Sequence, residues 1–170
     1  YRWVNVAGTS AGALVAALVA AGYRAEELAR MLLDLDYRRF AQPRGWGRLP
    51  LVGLPLNLIF RLGLYPADPL EEWLAGLLAE RGVHTFADLV LPEFAEDPRF
   101  RYRLRVVASD LSRRRLVVLP QDARRYGLDP DHLPVARAVR MSLSIPFYYE
   151  PVFLPLPGGG RSVIVDGGLL

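Results

Sequence analysis

The chain of 170 residues contains no cysteine, no lysine and only two histidines. Without cysteine there is no disulfide staple, no thiolate nucleophile and no Cys-ligated metal. Two histidines are too few for a His-rich metal site, and no metal or cofactor is expected. All 21 basic residues are arginine, for a formal net charge of +3. The aromatic residues do not interleave with the arginine clusters as in a base-stacking platform, so no nucleic-acid partner is expected. No apolar run reaches the roughly 20 residues of a membrane span. The longest candidate, Ala11 to Ala21, is about half that length and reads as a buried helix. The chain opens with Tyr1 inside an apparent strand, without a Met or a signal peptide, and closes just after Asp166-Gly167-Gly168. Both ends read as cut, which suggests one excised domain over 1–170.

What is present is a 52% apolar composition, enough for one domain with a core. Trp3 to Ala7 reads as a strand, and Ala13 to Ala21 as a buried helix closed by Gly22. Ala25 to Asp34 reads as an amphipathic helix facing inward through Leu28, Met31, Leu32 and Leu35. Asp68-Pro69-Leu70-Glu71 predicts a helix start with Asp68 at the N-cap, and Thr85 to Asp88 the cap of a shorter one. Tyr102 to Ala108 and Leu116 to Leu119 read as strands of a hairpin turning at Asp110 to Arg114. A short helix is expected over Pro134 to Ser142. Two last strands, Val152 to Leu154 and Val163 to Val165, are joined through Gly158-Gly159-Gly160. The alternation predicts an α/β fold with a central, mostly parallel sheet covered by helices.

Gly8-Thr9-Ser10-Ala11-Gly12 has the G-x-S-x-G form of a nucleophile elbow, with strand before it and helix after. Gly8 and Gly12 supply the small residues a tight turn needs. A serine hydroxyl needs a base. His84 and His132 both lie in polar surroundings that read as surface. A triad remains an alternative, with Ser10, one of Asp110, Asp122 or Asp129, and His132, in the chain order of α/β-hydrolases. Asp166, at the end of an apolar strand and followed by Gly167 and Gly168, is the other candidate base.

The elbow, Asp166-Gly167-Gly168, Val106 to Leu111 and Val135 to Pro146 together resemble the patatin-like phospholipase family, in the family's order and over nearly the whole chain. The resemblance implies a Ser-Asp dyad without histidine, with Ser10 as nucleophile and Asp166 as its base. It also implies hydrolysis of lipid acyl esters or phospholipids through an acyl-enzyme. A free aspartate, with a pKa near 3.9, is a weak base at neutral pH. Asp166 is therefore expected to be buried and within hydrogen-bond reach of Ser10. The Ala11 backbone N–H is expected to donate to the oxyanion. The family's other donors come from a glycine-rich loop upstream of the elbow strand, so a chain lacking it is expected to be weakly active or inactive. Gly158 to Gly160 reads as a hairpin loop and not as a substitute.

The expected partner is a lipid or acyl ester, with peripheral membrane contact as a further expectation. Leu49 to Leu64 reads as packing or as part of an acyl channel, with Arg44, Arg48 and Arg61 facing anionic headgroups. Arg113 to Arg115 reads as a solvated hairpin tip. A lipid-binding module with a vestigial dyad is the non-enzymatic alternative.

Overall fold

The computed structural model describes residues 4–42 and 61–170. Strand β1 (Val6–Thr9) leads into helix α1 (Ala11–Ala20). Six residues of α1, namely Ala13, Leu14, Ala16, Ala17, Leu18 and Ala20, are buried. Its small side chains let it lie close on the sheet, and an apolar surface on most sides is the mark of an interior helix. Helix α2 (Ala25–Leu33) is tied at its start by the Glu27 carboxylate, which accepts the Arg24 N–H at 2.8 Å. Leu28 and Leu35 are buried and Met31 and Leu32 half-buried, the inward face the spacing predicts.

Helix α3 (Asp68–Glu80) buries Leu70, Leu74 and Leu78. Its N-cap is Ala67, so Asp68 is the first helical residue and not the cap expected from the sequence. Pro69 in the first turn costs the helix nothing, because the amides there have no intrahelical acceptor. Thr85 and Asp88 form the predicted capping box, here on a single 3-10 turn, Phe86–Leu89. Helix α4 (Val135–Ser142) is buried along most of its length.

The remaining strands are β2 (Gly63–Tyr65), β3 (Leu104–Asp110), β4 (Arg115–Leu119), β5 (Phe147–Tyr149), β6 (Val152–Pro155) and β7 (Arg161–Asp166). The main sheet runs β1-β3-β7-β6, with β4 also on β3, while β2 and β5 pair separately. The α/β class expected from the sequence is what forms. Strand direction is mixed among the described residues, so the expected parallel predominance is narrowed to two pairings. β1 is parallel to β3 and β2 to β5, whereas β3–β4, β3–β7 and β6–β7 are antiparallel. For β3–β4 and β6–β7 the physical reason is connection length: tight turns at Asp110 to Arg115 and at Gly158 to Gly160 can join only antiparallel neighbours.

Helix α1 packs on β1 and β3, α4 packs on β3, β7 and α1, and α3 packs on α4. The core lies between these helices and the sheet, where Leu104, Val106, Ala108, Val117, Leu119, Leu154 and Ile164 are fully buried. Strands β2 and β5 were not anticipated; three residues each are too short to show an alternation. Arg44, Arg48 and most of the apolar stretch from Leu49 fall outside the described residues. Arg61 is described, and it pairs with Glu150 at 3.1 Å. Arg113 and Arg114 are exposed at the hairpin tip, as expected, whereas Arg115 opens β4 and reaches Asp122 at 3.7 Å.

Candidate active site

Ser10 lies between the end of β1 and the start of α1, with φ 52 and ψ −132. Positive φ in a residue other than glycine costs on the order of 1–3 kcal/mol and persists only where neighbours over-determine it. Here they do. A Cβ on Gly8 would run into the backbone of Gly12 and stand 2.6 Å from the Ala13 nitrogen. The turn therefore closes only because residue 8 is glycine. Gly12 differs from expectation: it is exposed, and a Cβ there meets nothing within 4 Å. The Ser10 carbonyl accepts the Ala13 N–H at 2.9 Å, and the Ser10 N–H donates to Ser142 Oγ at 2.8 Å. Ala11 is the first residue of α1, so its amide lies outside the intrahelical ladder.

Asp166 is the last residue of β7 and is buried at 8% exposure. Its N–H donates to the Ser144 carbonyl at 2.9 Å. Oδ1 accepts the Gly168 N–H at 2.7 Å, while Oδ2 is buried and has no hydrogen-bond partner. Gly167 turns the chain against the end of β1, where a Cβ would collide with Thr9 Oγ1 and the Val107 carbonyl.

Topology explains why these segments meet. Strand β4 occupies one edge of β3 over Val106 to Asp110. Both β1 and β7 must therefore use the other edge: Thr9 pairs with Val107 and Asp166 with Ala108. β1 runs parallel to β3 and β7 antiparallel, so their C-terminal ends point at each other. Consecutive positions on a strand are about 3.3 Å apart along it. Among the described residues the Gly168 amide is the one donor to the Asp166 carboxylate, and no direct hydrogen bond joins it to Ser10. The burial expected of Asp166 is observed.

The histidines lie elsewhere. His132 Nδ1 is 2.6 Å from Asp129 Oδ2, with the two side chains 82% and 53% exposed. This contact holds the Asp129 carboxyl below its usual range. His132 precedes α4, whose opposite end carries Ser142; eight helical residues separate those ends by about 12 Å. His84 is exposed, and its backbone is what is engaged: its N–H donates to Asp88 Oδ2 at 2.8 Å and its carbonyl accepts the Val135 N–H at 3.1 Å. Asp110 accepts the Tyr126 hydroxyl at 2.9 Å, and Asp122 pairs with Arg125 at 2.8 Å. Both are engaged away from any histidine. The Gly158 to Gly160 segment closes the β6–β7 hairpin, with the Leu156 N–H on the Gly160 carbonyl at 3.1 Å. Among the described residues no three acidic or histidine side chains cluster as a metal site would require. An open cavity of about 500 Å³, lined by Glu71, Glu72 and His84 among others, includes neither Ser10 nor Asp166.

Ser142 and Ser144 are the site neighbours that sequence reasoning missed. The available signal was their place in Met141-Ser142-Leu143-Ser144, where hydroxyls end an otherwise apolar helix face.

Comparison with known proteins bears on the family and the fold. A family model described as patatin-like phospholipase matches residues 1–170. The uncharacterized protein YqhO of Bacillus subtilis (strain 168) is 43% identical over 171 residues, covering 100% of this chain and 55% of that protein. The chain thus spans about half the length of the curated relative it matches. The crystal structure of VipD from Legionella pneumophila superimposes with a TM-score of 0.54 at 16% identity, covering 98% of this chain and 40% of that one. That likeness speaks to the fold. With the family model matching from first residue to last, the chain belongs to the patatin-like phospholipase family.

Proposed function

We propose that this chain carries the catalytic centre of a serine acyl hydrolase acting on lipid acyl esters or phospholipids, with Ser10 as nucleophile and Asp166 as its base. The observation that carries the reading is the end-to-end meeting of β1 and β7 on one edge of β3, which joins the strained turn at Ser10 to the strand end at Asp166, whose Oδ2 is buried and unpaired. Membership of the patatin-like phospholipase family supports the substrate class. In this reading Ser10 Oγ attacks the acyl carbonyl as its proton passes to Asp166 Oδ2. The tetrahedral intermediate places negative charge near the start of α1, where the Ala11 N–H donates to it. Collapse expels the alcohol, which takes up the proton, and leaves the acyl group on Ser10. Water then releases the acid with Asp166 again as base. Exposed Ile145, Phe147, Leu169 and Leu170 flank the segments that hold Asp166 and suit an apolar substrate or peripheral lipid contact. No helix among the described residues is long and apolar enough to cross a membrane.

A fluorophosphonate probe applied to the intact protein tests the proposal. Labelling is expected in the parent and absent in Ser10→Ala. Asp166→Asn is expected to slow ester turnover by about 10²–10⁴, the usual worth of general-base assistance. A parent protein that binds lipid vesicles yet takes no label would instead be the non-catalytic lipid-binding module. Loss of turnover in His132→Ala would point to the triad.

A further inference from the structure

The amide of Ser10 is held by a side chain that the proposed chemistry does not use. Ser142, the last residue of α4, is fully buried. Its Oγ accepts the Ser10 N–H at 2.8 Å and donates to the Val107 carbonyl at 2.6 Å. A hydroxyl has a single proton to give, so donation to Val107 fixes the rotor and leaves a lone pair aimed at Ser10. Three elements meet at this oxygen: the residue after β1, the middle of β3 and the end of α4. Val107 is also the ladder partner of Thr9 and accepts the Thr9 hydroxyl at 3.3 Å. The carbonyl side of Ser10 is anchored separately, by the Ala13 N–H. Both peptide groups around the positive-φ residue are therefore pinned.

We infer that Ser142 is a positioning residue for Ser10. It holds the nucleophile's amide so that the serine keeps the backbone angles that project Oγ from the elbow. It also removes the Ser10 amide from the donors open to an oxyanion. The same helix end fixes Asp166, because the Ser144 carbonyl accepts the Asp166 N–H at 2.9 Å. The C-terminal turn of α4 is thus the common reference for both sides of the site. This inference rests on the acyl-hydrolase reading of Ser10.

The test compares the intact parent protein with Ser142→Ala in two measurements. The first separates the titre of probe-reactive sites from the acylation rate constant per reactive site. A residue needed only for folding lowers the titre and leaves the rate per site alone. A positioning residue lowers the rate per site, here by about tenfold to a hundredfold, as misplacement of a reacting group does. A folded Ser142→Ala protein acylating within about twofold of the parent per site overturns the inference. The second is hydrogen exchange of the Ser10 amide in the parent, which needs neither activity nor a folded variant. Strong protection is expected, and exchange at the rate of an open loop overturns the inference. A parent protein that takes no label overturns the hydrolase reading, and with it any catalytic purpose for the clamp.

Discussion

Gly167 approaches Thr9 so closely that a Cβ on it would collide with the threonine hydroxyl oxygen and the Val107 carbonyl behind it. This contact sets how near the turn after β7 comes to the turn after β1. Gly167→Ala is therefore expected to force the two strand ends apart. Overpacking of this kind costs about 1–3 kcal/mol, measurable by chemical denaturation, with ester turnover falling further than stability explains. Gly168→Ala is the control: its Cβ would lie 3.1 Å from Asp166 Oδ1, tight but movable, and the smaller effect is expected there. Equal effects from the two variants would show that the approach of Gly167 to Thr9 does not set the site.

The strain at Ser10 gives a second expectation. Glycine adopts the Ser10 angles, φ 52 and ψ −132, without the side-chain penalty of about 1–3 kcal/mol. Ser10→Gly should match or exceed the parent in thermal stability while losing all probe labelling. A large drop in its melting temperature would mean that the serine side chain contributes to folding.

The two elbow glycines are expected to behave oppositely. Gly8→Ala should disrupt the fold, since the collision is with backbone. Gly12→Ala has room and lies inside α1, where replacing glycine by alanine favours a helix by about 0.5–1 kcal/mol. Thermal unfolding of the pair checks this.

His132→Ala should leave turnover unchanged, because the imidazole is solvent-facing and paired with Asp129. Steady-state rates decide it, and a collapse of kcat would require a triad.

Asp88 carries a pH expectation. Its carboxylate accepts the Thr85 and His84 amides, each at 2.8 Å, and these bonds hold its pKa below the ordinary value. A depressed folded-state pKa stabilises the fold above the unfolded value, about 3.9, and that contribution fades as pH falls through the folded value. Asp88→Ala should therefore lower the melting temperature at neutral pH and change it little in strong acid. A difference that is the same at both pH values would rule out the carboxylate as the cause.

Much of the local structure was legible because it is governed by neighbours in the chain. The run of alanine, leucine and valine after Ser10 reads as a buried helix and folds as α1. The Thr85–Asp88 box closes the turn its spacing predicts. Asp68 shows the limit: Ala67 takes the cap and Asp68 becomes the first helical residue, a shift by one residue of the kind helix ends commonly show. β2 and β5 escaped because their pairing, Gly63 with Phe147 and Tyr65 with Tyr149, depends on partners more than 80 positions away and leaves no local period.

The elbow from Gly8 to Gly12 is a short-range property, and the sequence alone determined it: glycine at position 8, strand before and helix after permit little else. The sequence also marked Asp166-Gly167-Gly168 as a strand ending in a tight turn. Only the tertiary structure decided that these distant turns share one edge of β3, and that the Ser142 hydroxyl accepts the Ser10 amide. Those outcomes depend on strand order and on hydrogen bonds across 132 and 35 positions. No window of sequence contains both partners.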